Sequence, residues 1–324
     1  MGGGFRPPSF LGGYMLLIPK KRRSIPALYP GAPYWLRYIL PALLVYLLFM
    51  AWPLLDSVRL SFYTGNAANR SFTGFSNYVR LFAGGEVTDR YWGAFGQTWY
   101  FFAIHMLVQN VLGLLFAAML SNATLRGRQV YQTIIFLPTT LAILVTGYLW
   151  KLILNPLWTR DVLTGAGLGA LVYPWLGEAS TALTAVSLVS CWQWVGIPTV
   201  MFVAAMGNVP GDLLEAASIE GANAWHQFRH IKLPIIMPVV GIVTILTFVN
   251  NFNAFDAVFA MTGPNGPPNY KTDLIGTLFY RVGMAGQHPV AIPDTGLGAA
   301  IATVTFFMLC CGVIPTLKRT QTKE

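Results

Sequence analysis

Glu215-Ala216-Ala217-Ser218-Ile219-Glu220-Gly221-Ala222-Asn223-Ala224-Trp225-His226-Gln227-Phe228-Arg229-His230-Ile231-Lys232-Leu233-Pro234 is a polar, charged stretch between two long apolar runs, and its reading decides the fold. Glu215, Glu220, Arg229 and Lys232 stand too close together for a lipid-buried segment, where each charge is costly. The stretch is therefore expected in water, as a loop between the fourth and fifth membrane crossings. Asp212, after Pro210-Gly211, is the expected N-cap of a short helix, with Glu215 three residues on to complement the exposed amides and the helix dipole. Gly221 is placed to end that helix at a sharp bend. A second short helix is expected to run to about Ile231, with Leu233-Pro234 opening the next crossing. Such a helix–bend–helix elbow can insert rigidly into a partner and transmit force. A plain amphipathic tie between crossings is the bland alternative, and it has no use for a fixed spacing.

Composition sets the class independently. Charged residues make up 10% of the chain and apolar ones 55%, and the mean hydropathy is +0.54, which is the composition of an integral membrane protein. Six charge-free runs are long enough to span a bilayer: 38–55, 91–125, 129–150, 179–211, 233–255 and 295–317. A crossing takes about 20 residues, so the second and fourth runs have blurred ends. The expected fold class is all-α, a polytopic membrane protein with six transmembrane helices. Its parts are an N-terminal cytoplasmic or interfacial segment, 1–34, a transmembrane domain, 35–318, with its polar loop at about 210–234, and a short tail, 319–324. Pro7 to Pro19 is apolar but too short to span, and its basic cluster follows rather than precedes it, unlike a signal peptide.

Lys and Arg fix the expected orientation. With both termini in the cytoplasm, thirteen of the twenty-one basic residues fall on that side, against four acids, and the whole net charge of +9 lies there. The outer segments, about 56–90, 151–178 and 256–294, net zero. The basic balance thus reports topology and anionic lipid contact, and there is no basic, aromatic-interleaved soluble domain for nucleic acid. Cys191 and Cys310-Cys311 lie within crossings and read as small apolar fillers.

The spacing Glu215-Ala216-Ala217, three residues, Gly221, nine residues, Ile231-x-Leu233-Pro234 resembles the EAA signature of ABC-importer permeases. The resemblance extends outward. Pro41 through Tyr63, with Trp52-Pro53 and Ser61-Phe62, looks like the first crossing of carbohydrate-importer permeases. Phe72-Thr73-Gly74-Phe75-Ser76-Asn77-Tyr78 is similar to the G-x-x-N-Y segment that follows it. Asn251-Phe252-Asn253-Ala254-Phe255-Asp256 and Met261-Thr262-Gly263 resemble the fifth crossing and the loop beyond, although Gly263-Pro264-Asn265-Gly266-Pro267 departs from the loop pattern. The match covers most of 36–318 and lies in the oligosaccharide branch, in the maltose-importer and glycerol-phosphate-importer style, with alginate-importing members as a further likeness.

That resemblance implies a coupling helix formed by Glu215, Ala216, Ala217, Gly221, Ile231, Leu233 and Pro234, docked into a cytosolic ATPase dimer. It implies a second, homologous permease subunit, an extracytoplasmic solute-binding protein and a saccharide substrate at the inner membrane. ATP and Mg would reside on the ATPase. This chain needs no cofactor of its own, and no GxxxxGK[ST] loop occurs in it.

Sugars are held by amides and hydroxyls beside aromatic faces, at the midplane of the crossings. Thr247, Asn250, Asn251 and Asn253 are four polar side chains within seven residues of an apolar run, and Thr247 and Asn251 share a helix face at i, i+4. Matching the family motif puts Thr247, Asn250 and Asn251 toward the pathway. Trp192, Gln193, Trp194, Gly196 and Thr199 offer a second wall, Gly196 and Thr199 by the family's pathway positions. The bland reading is that such groups tie helices together.

Other features read plainly. His226 and His230 lack the Glu of a zinc motif. His105 is a lone packing histidine, and Asp256 an outer-interface residue. Gly165-x-Gly167-x-Gly169 has no strand–helix context for a nucleotide. The expected function is a permease subunit of an ATP-driven, binding-protein-dependent importer of sugars or oligosaccharides, alginate oligosaccharides among them. A permease for glycerol-phosphate-type solutes and a secondary transporter are the alternatives, the latter weakened because only His105 is ionisable well inside a crossing. An intramembrane enzyme would need a paired Ser–His or Asp–Asp set, which is not visible.

Overall fold

A computed structural model describes residues 33–66, 68–122 and 125–321. The segment Pro7 to Pro19 and most of 1–34 lie outside the described residues. The chain divides into two compact units, 1–53 and 54–324.

Four helices are long and apolar enough to cross a membrane: Tyr38–Leu60, Glu86–Leu120, Ala224–Phe252 and Thr295–Lys318. Two bent pairs complete six crossings when each is taken as one span. Arg128–Thr140 and Ile143–Ile153 meet at 95°, and Ala182–Trp194 and Gly196–Gly207 at 43°. The first bend follows a tight turn through Leu137–Thr140, after which Leu141 and Ala142 are extended. The second falls at Val195, just before Pro198, whose ring cannot donate into the helix ladder. Gly196 belongs at that bend for a second reason. A Cβ there would stand 3.0 Å from the Ile135 carbonyl oxygen and from Phe136 Cα, so only glycine lets the third and fourth crossings approach so closely.

The second crossing begins at Glu86, five residues before the charge-free run, because its first turn is amphipathic and carries Glu86, Asp89 and Arg90. The fifth begins at Ala224, well inside the polar stretch. A count of uncharged residues could not see either start.

Between lipid-embedded helices, packing and a few polar ties replace the hydrophobic effect. One apolar cluster joins Ala117, Leu120, Phe202, Val203, Met206, Ile236 and Val243 of the second, fourth and fifth crossings. Another joins Phe101, Val186 and Val189 to Val258 and Met261 of the short helix Asp256–Thr262. Asn110 Nδ2 donates to Thr247 Oγ1 at 3.0 Å, tying the second crossing to the fifth. His105 Nε2 meets Ser190 Oγ at 3.0 Å, tying the second to the fourth. Gln193 Nε2 donates to the Leu141 carbonyl at 3.1 Å, tying the fourth to the third where its backbone is extended.

At the opposite end from the polar loop, a two-stranded hairpin, Tyr63–Gly65 with Arg70–Phe72, follows the first crossing. Asn77 explains the asparagine of the segment after it: fully buried, it donates to the Ser61 and Tyr63 carbonyls at 2.9 and 2.6 Å. Asp294 caps the sixth crossing through the Leu297 amide at 3.1 Å. It also takes an Arg80 contact at 2.7 Å and the Thr64 hydroxyl at 3.1 Å. Burial alone would raise the Asp294 carboxyl, but the bond from Arg80, helped by the Leu297 amide, outweighs it and holds the group below the usual carboxylate range. Nearby, Arg281 and Asp273 form a fully buried ion pair. The rings of Tyr270 and His288 lie 5.2 Å apart, and Arg90 stacks over Tyr270 at 3.7 Å.

Candidate functional site

The polar loop is built in two pieces. The helix Gly211–Ile219 is preceded by Pro210, and no side chain caps it. Asp212 is thus not the N-cap expected from sequence; it sits in the first turn, where its charge complements the dipole without a capping bond. The helix ends as expected. Gly221 has φ of +83°, its amide reaches the Ser218 carbonyl at 3.1 Å, and the Ala222 amide reaches Ala217 at 2.9 Å. That pair of bonds is a Schellman ending, in which the left-handed residue is nearly always glycine.

The second piece differs from the expectation. Asn223 caps a new helix by accepting the His226 amide at 2.9 Å, and this helix does not stop near Ile231. It widens into a π-helical turn at Phe228–Lys232 and continues into the fifth crossing. Pro234 lacks the amide that would reach back to the previous turn, and the wider turn just ahead absorbs the interruption. Gln227 Nε2 donates to Ser218 Oγ at 2.9 Å and to the Ala222 carbonyl at 3.2 Å, locking the elbow across its bend. Leu214, Phe228, Ile231 and Leu233 pack on the apolar cluster of the second, fourth and fifth crossings. Glu215, Ala216, Ile219, Gly221, Trp225 and Pro234 are exposed, and Ala217 is half-buried. One side of the elbow is therefore anchored and the other presented.

The second candidate region is a cavity of about 410 Å3 among the second, fourth and fifth crossings. Thr247, Asn250, Asn251, Asn253 and Trp194 line it, together with His105, Gln109, Ser190 and Asp256. Gly196 and Thr199 are buried and do not line it. Gly196 faces the third crossing, and the Thr199 hydroxyl donates to the Val195 carbonyl at 2.8 Å. Thr247 is likewise engaged, giving its hydroxyl to the Val243 carbonyl at 2.8 Å while accepting from Asn110. Both His105 nitrogens are occupied, Nδ1 with the Phe101 carbonyl at 2.8 Å and Nε2 with Ser190.

Two buried acceptors in the cavity wall have no partner among the described residues: Gln109 Oε1 and Asn251 Oδ1. Gln109 closes a π-helical turn, His105–Gln109, in the second crossing, a distortion that often marks functional positions in helices. Sequence reasoning passed over Gln109. The signal was there, in two adjacent amides, Gln109-Asn110, within a long apolar helix. Asp256 stands at the cavity as well as at the end of the fifth crossing. A larger cleft of about 780 Å3 runs between the fifth and sixth crossings, but Phe252, Phe279, Ile301, Phe306 and Leu309 dominate its walls, and it gathers no comparable polar set.

Comparison with known proteins agrees with this architecture. The family described as "Binding-protein-dependent transport system inner membrane component" matches residues 109–319. The chain is 28% identical over 291 residues to the arabinooligosaccharides transport system permease protein AraP of Bacillus subtilis strain 168, covering 89% of this chain and 88% of that protein. It is 29% identical to the trehalose/maltose transport system permease protein MalF of Thermococcus litoralis, covering 86% and 91%. Among solved structures, a chain of a bacterial ABC transporter involved in import of the acidic polysaccharide alginate superposes with a TM-score of 0.75. Its sequence is 21% identical, and the match covers 89% of this chain and 96% of that one.

Proposed function

The chain belongs to the family of binding-protein-dependent transport system inner membrane components, and on that premise we propose that it is one of two homologous permeases lining the pathway of an ATP-driven saccharide importer. One observation carries this reading. A single continuous helix, Ala224–Phe252, bears the presented elbow at one end and the polar cavity wall at Thr247, Asn250 and Asn251 near the other. At 1.5 Å per residue these lie ~40 Å apart along one helix. A displacement of the elbow is thereby delivered to the cavity.

In this reading Glu215, Ala216, Ala217 and Gly221 meet a cytosolic ATPase dimer that holds ATP and Mg. Ile231 and Leu233 root the elbow in the bundle, and Pro234 lies exposed at the start of the fifth crossing. Thr247, Asn250, Asn251, Asn253 and Trp194 form the pathway wall, with Gly196 and Thr199 fixing the fourth crossing behind it. Both termini are cytoplasmic. A solute-binding protein delivers the sugar to the outer face, where the hairpin and the Asp294 and Arg281 networks form a rigid rim. Arabinooligosaccharides and trehalose/maltose, named for the relatives, support a saccharide substrate. A secondary transporter fits less well, because no Asp, Glu, Lys or Arg stands within 91–120, 182–207 or 233–252.

The test is reconstitution of the chain with its partner permease, ATPase and binding protein in proteoliposomes. Saccharide uptake should depend on ATP hydrolysis and on the binding protein. Uptake driven by an ion gradient without ATP would overturn the proposal.

A further inference from the structure

We propose that His226 and His230, side by side on the polar loop, form a two-nitrogen site for a transition-metal ion of the Ni2+, Cu2+ or Zn2+ class. The site is independent of what the pathway carries. Both side chains are exposed. They stand at i, i+4 on one helix and so share a face, and their rings stack with centroids 5.4 Å apart and planes 20° from parallel.

Their hydrogen bonds settle which nitrogen of each ring is free. His226 Nδ1 lies 3.2 Å from Asn223 Oδ1. That atom is an acceptor, since it also takes the His226 amide at 2.9 Å. His230 Nδ1 lies 3.2 Å from the His226 carbonyl oxygen. Both partners can only accept, so each neutral ring carries its proton on Nδ1 and its lone pair on Nε2. Neither Nε2 has a hydrogen-bond partner among the described residues. An imidazole whose Nδ1–H is held by an oxygen while Nε2 stays open has the tautomer and the orienting contact of a metal-bound histidine. Here two such rings are neighbours. The other two histidines differ: His105 has both nitrogens engaged, and His288 Nε2 lies 3.0 Å from Glu86.

The donor set decides the ion. Imidazole nitrogen suits Zn2+, Cu2+ and Ni2+, whereas Mg2+ and Ca2+ take oxygen ligands. No group of three His, Cys, Asp or Glu side chains gathers among the described residues, so the pair supplies two ligands and water supplies the rest. Arg229 and Lys232 in the same π-helical turn oppose any dication by like charge. Binding therefore has to come from the nitrogen–metal bonds, which again disfavours the hard ions. Metal–nitrogen distances of about 2.0–2.1 Å require the rings to tilt toward each other, a movement open to exposed side chains. The ion would clip Ala224–Gln227 to the π-helical turn Phe228–Lys232, where the elbow runs into the fifth crossing.

The experiment uses the full-length chain in detergent, purified on a tag without histidine, with Cys310→Ser and Cys311→Ser to remove competing thiolates. Ni2+ binding is followed by isothermal titration calorimetry. One ion should bind per chain, and an excess of Mg2+ should not displace it. His226→Gln and His230→Gln should each weaken binding at least tenfold. The double variant should be little weaker than either, because losing one imidazole already breaks the chelate. With Cu2+, electron paramagnetic resonance should show two imidazole nitrogens on the metal in the parent and one in each single variant. Because both side chains are exposed, the variants should keep the parent's size-exclusion profile and melting temperature in the absence of metal. The absence of saturable Ni2+ binding, displacement by Mg2+, undiminished binding in either single variant, or a one-imidazole Cu2+ spectrum in the parent overturns the site.

Discussion

Asn110 and Thr247, 137 residues apart in the chain, meet side chain to side chain at 3.0 Å between the second and fifth crossings. The contact joins the wall that carries Gln109 to the helix that carries the elbow, so it sets how those two surfaces face each other. In a membrane such a tie is worth on average ~0.6 kcal/mol and at most about 1.7. Its importance lies in position more than in strength.

Replacing both partners tests that tie. Asn110→Leu and Thr247→Val should each lower the melting temperature of the assembled complex, because each removes the bond that joins the two crossings. The double variant should lose less than the sum, with a coupling of about 1 kcal/mol. Strictly additive losses would show that the two side chains do not depend on each other.

The elbow is tested at its bend. Gly221→Val forces a β-branched residue into a left-handed conformation, at a cost of about 1–2 kcal/mol. The variant should insert and assemble normally, yet show substrate-stimulated ATP hydrolysis reduced at least tenfold. Glu215→Lys, on the presented side, should do the same without altering the bend. Normal stimulation in both would remove the elbow from the coupling role.

Arg281 and Asp273 are 0% and 2% exposed, which makes their pairing obligatory once both are present. Arg281→Met leaves a buried carboxylate alone and should destabilise the subunit by about 3–5 kcal/mol. Arg281→Met with Asp273→Leu should recover most of the loss. Thermal melts of the three proteins decide it, and a double variant no better than Arg281→Met would refute the pairing argument.

Asp294 gives a pH dependence. Its folded-state pKa is depressed, so its contribution is fully present above the unfolded carboxylate value of about 3.9 and is lost as pH falls through the lower folded value. Melting temperature should therefore fall with acidification in that range, and Asp294→Asn should flatten the slope. An unchanged slope would mean that Arg80 and the Leu297 amide do not stabilise the ionised form.

Orientation is read by labelling. On a background lacking Cys191, Cys310 and Cys311, Arg126→Cys should be protected from a membrane-impermeant thiol reagent in intact cells, and Arg70→Cys should react. The reverse pattern would invert the topology.

Much of the polar loop was legible because its signals are local. Gly221 after a short amphipathic helix predicts its own left-handed ending, and the structure supplies the two Schellman bonds. The continuation of the Asn223-capped helix into the fifth crossing was not legible. Leu233-Pro234 reads as a boundary, and only the π-helical turn at Phe228–Lys232 lets the helix pass through it. The cavity was half legible: polar residues on the fifth crossing announced themselves, whereas His105, Gln109 and Ser190 on its neighbours did not.

By itself the sequence determined the number of crossings, the charged loop between the fourth and fifth, and the family. Each of these depends on the transfer cost of consecutive residues or on spacing along the chain. Only the tertiary structure decided that Thr247 is spent on Asn110, that Gly196 and Thr199 stand behind the wall, and that Gln109 and Asn251 each keep a buried acceptor without a partner among the described residues. In lipid nearly every face of these helices is apolar, so the rotation of each about its axis is set by contact with its neighbours and by no periodicity of its own.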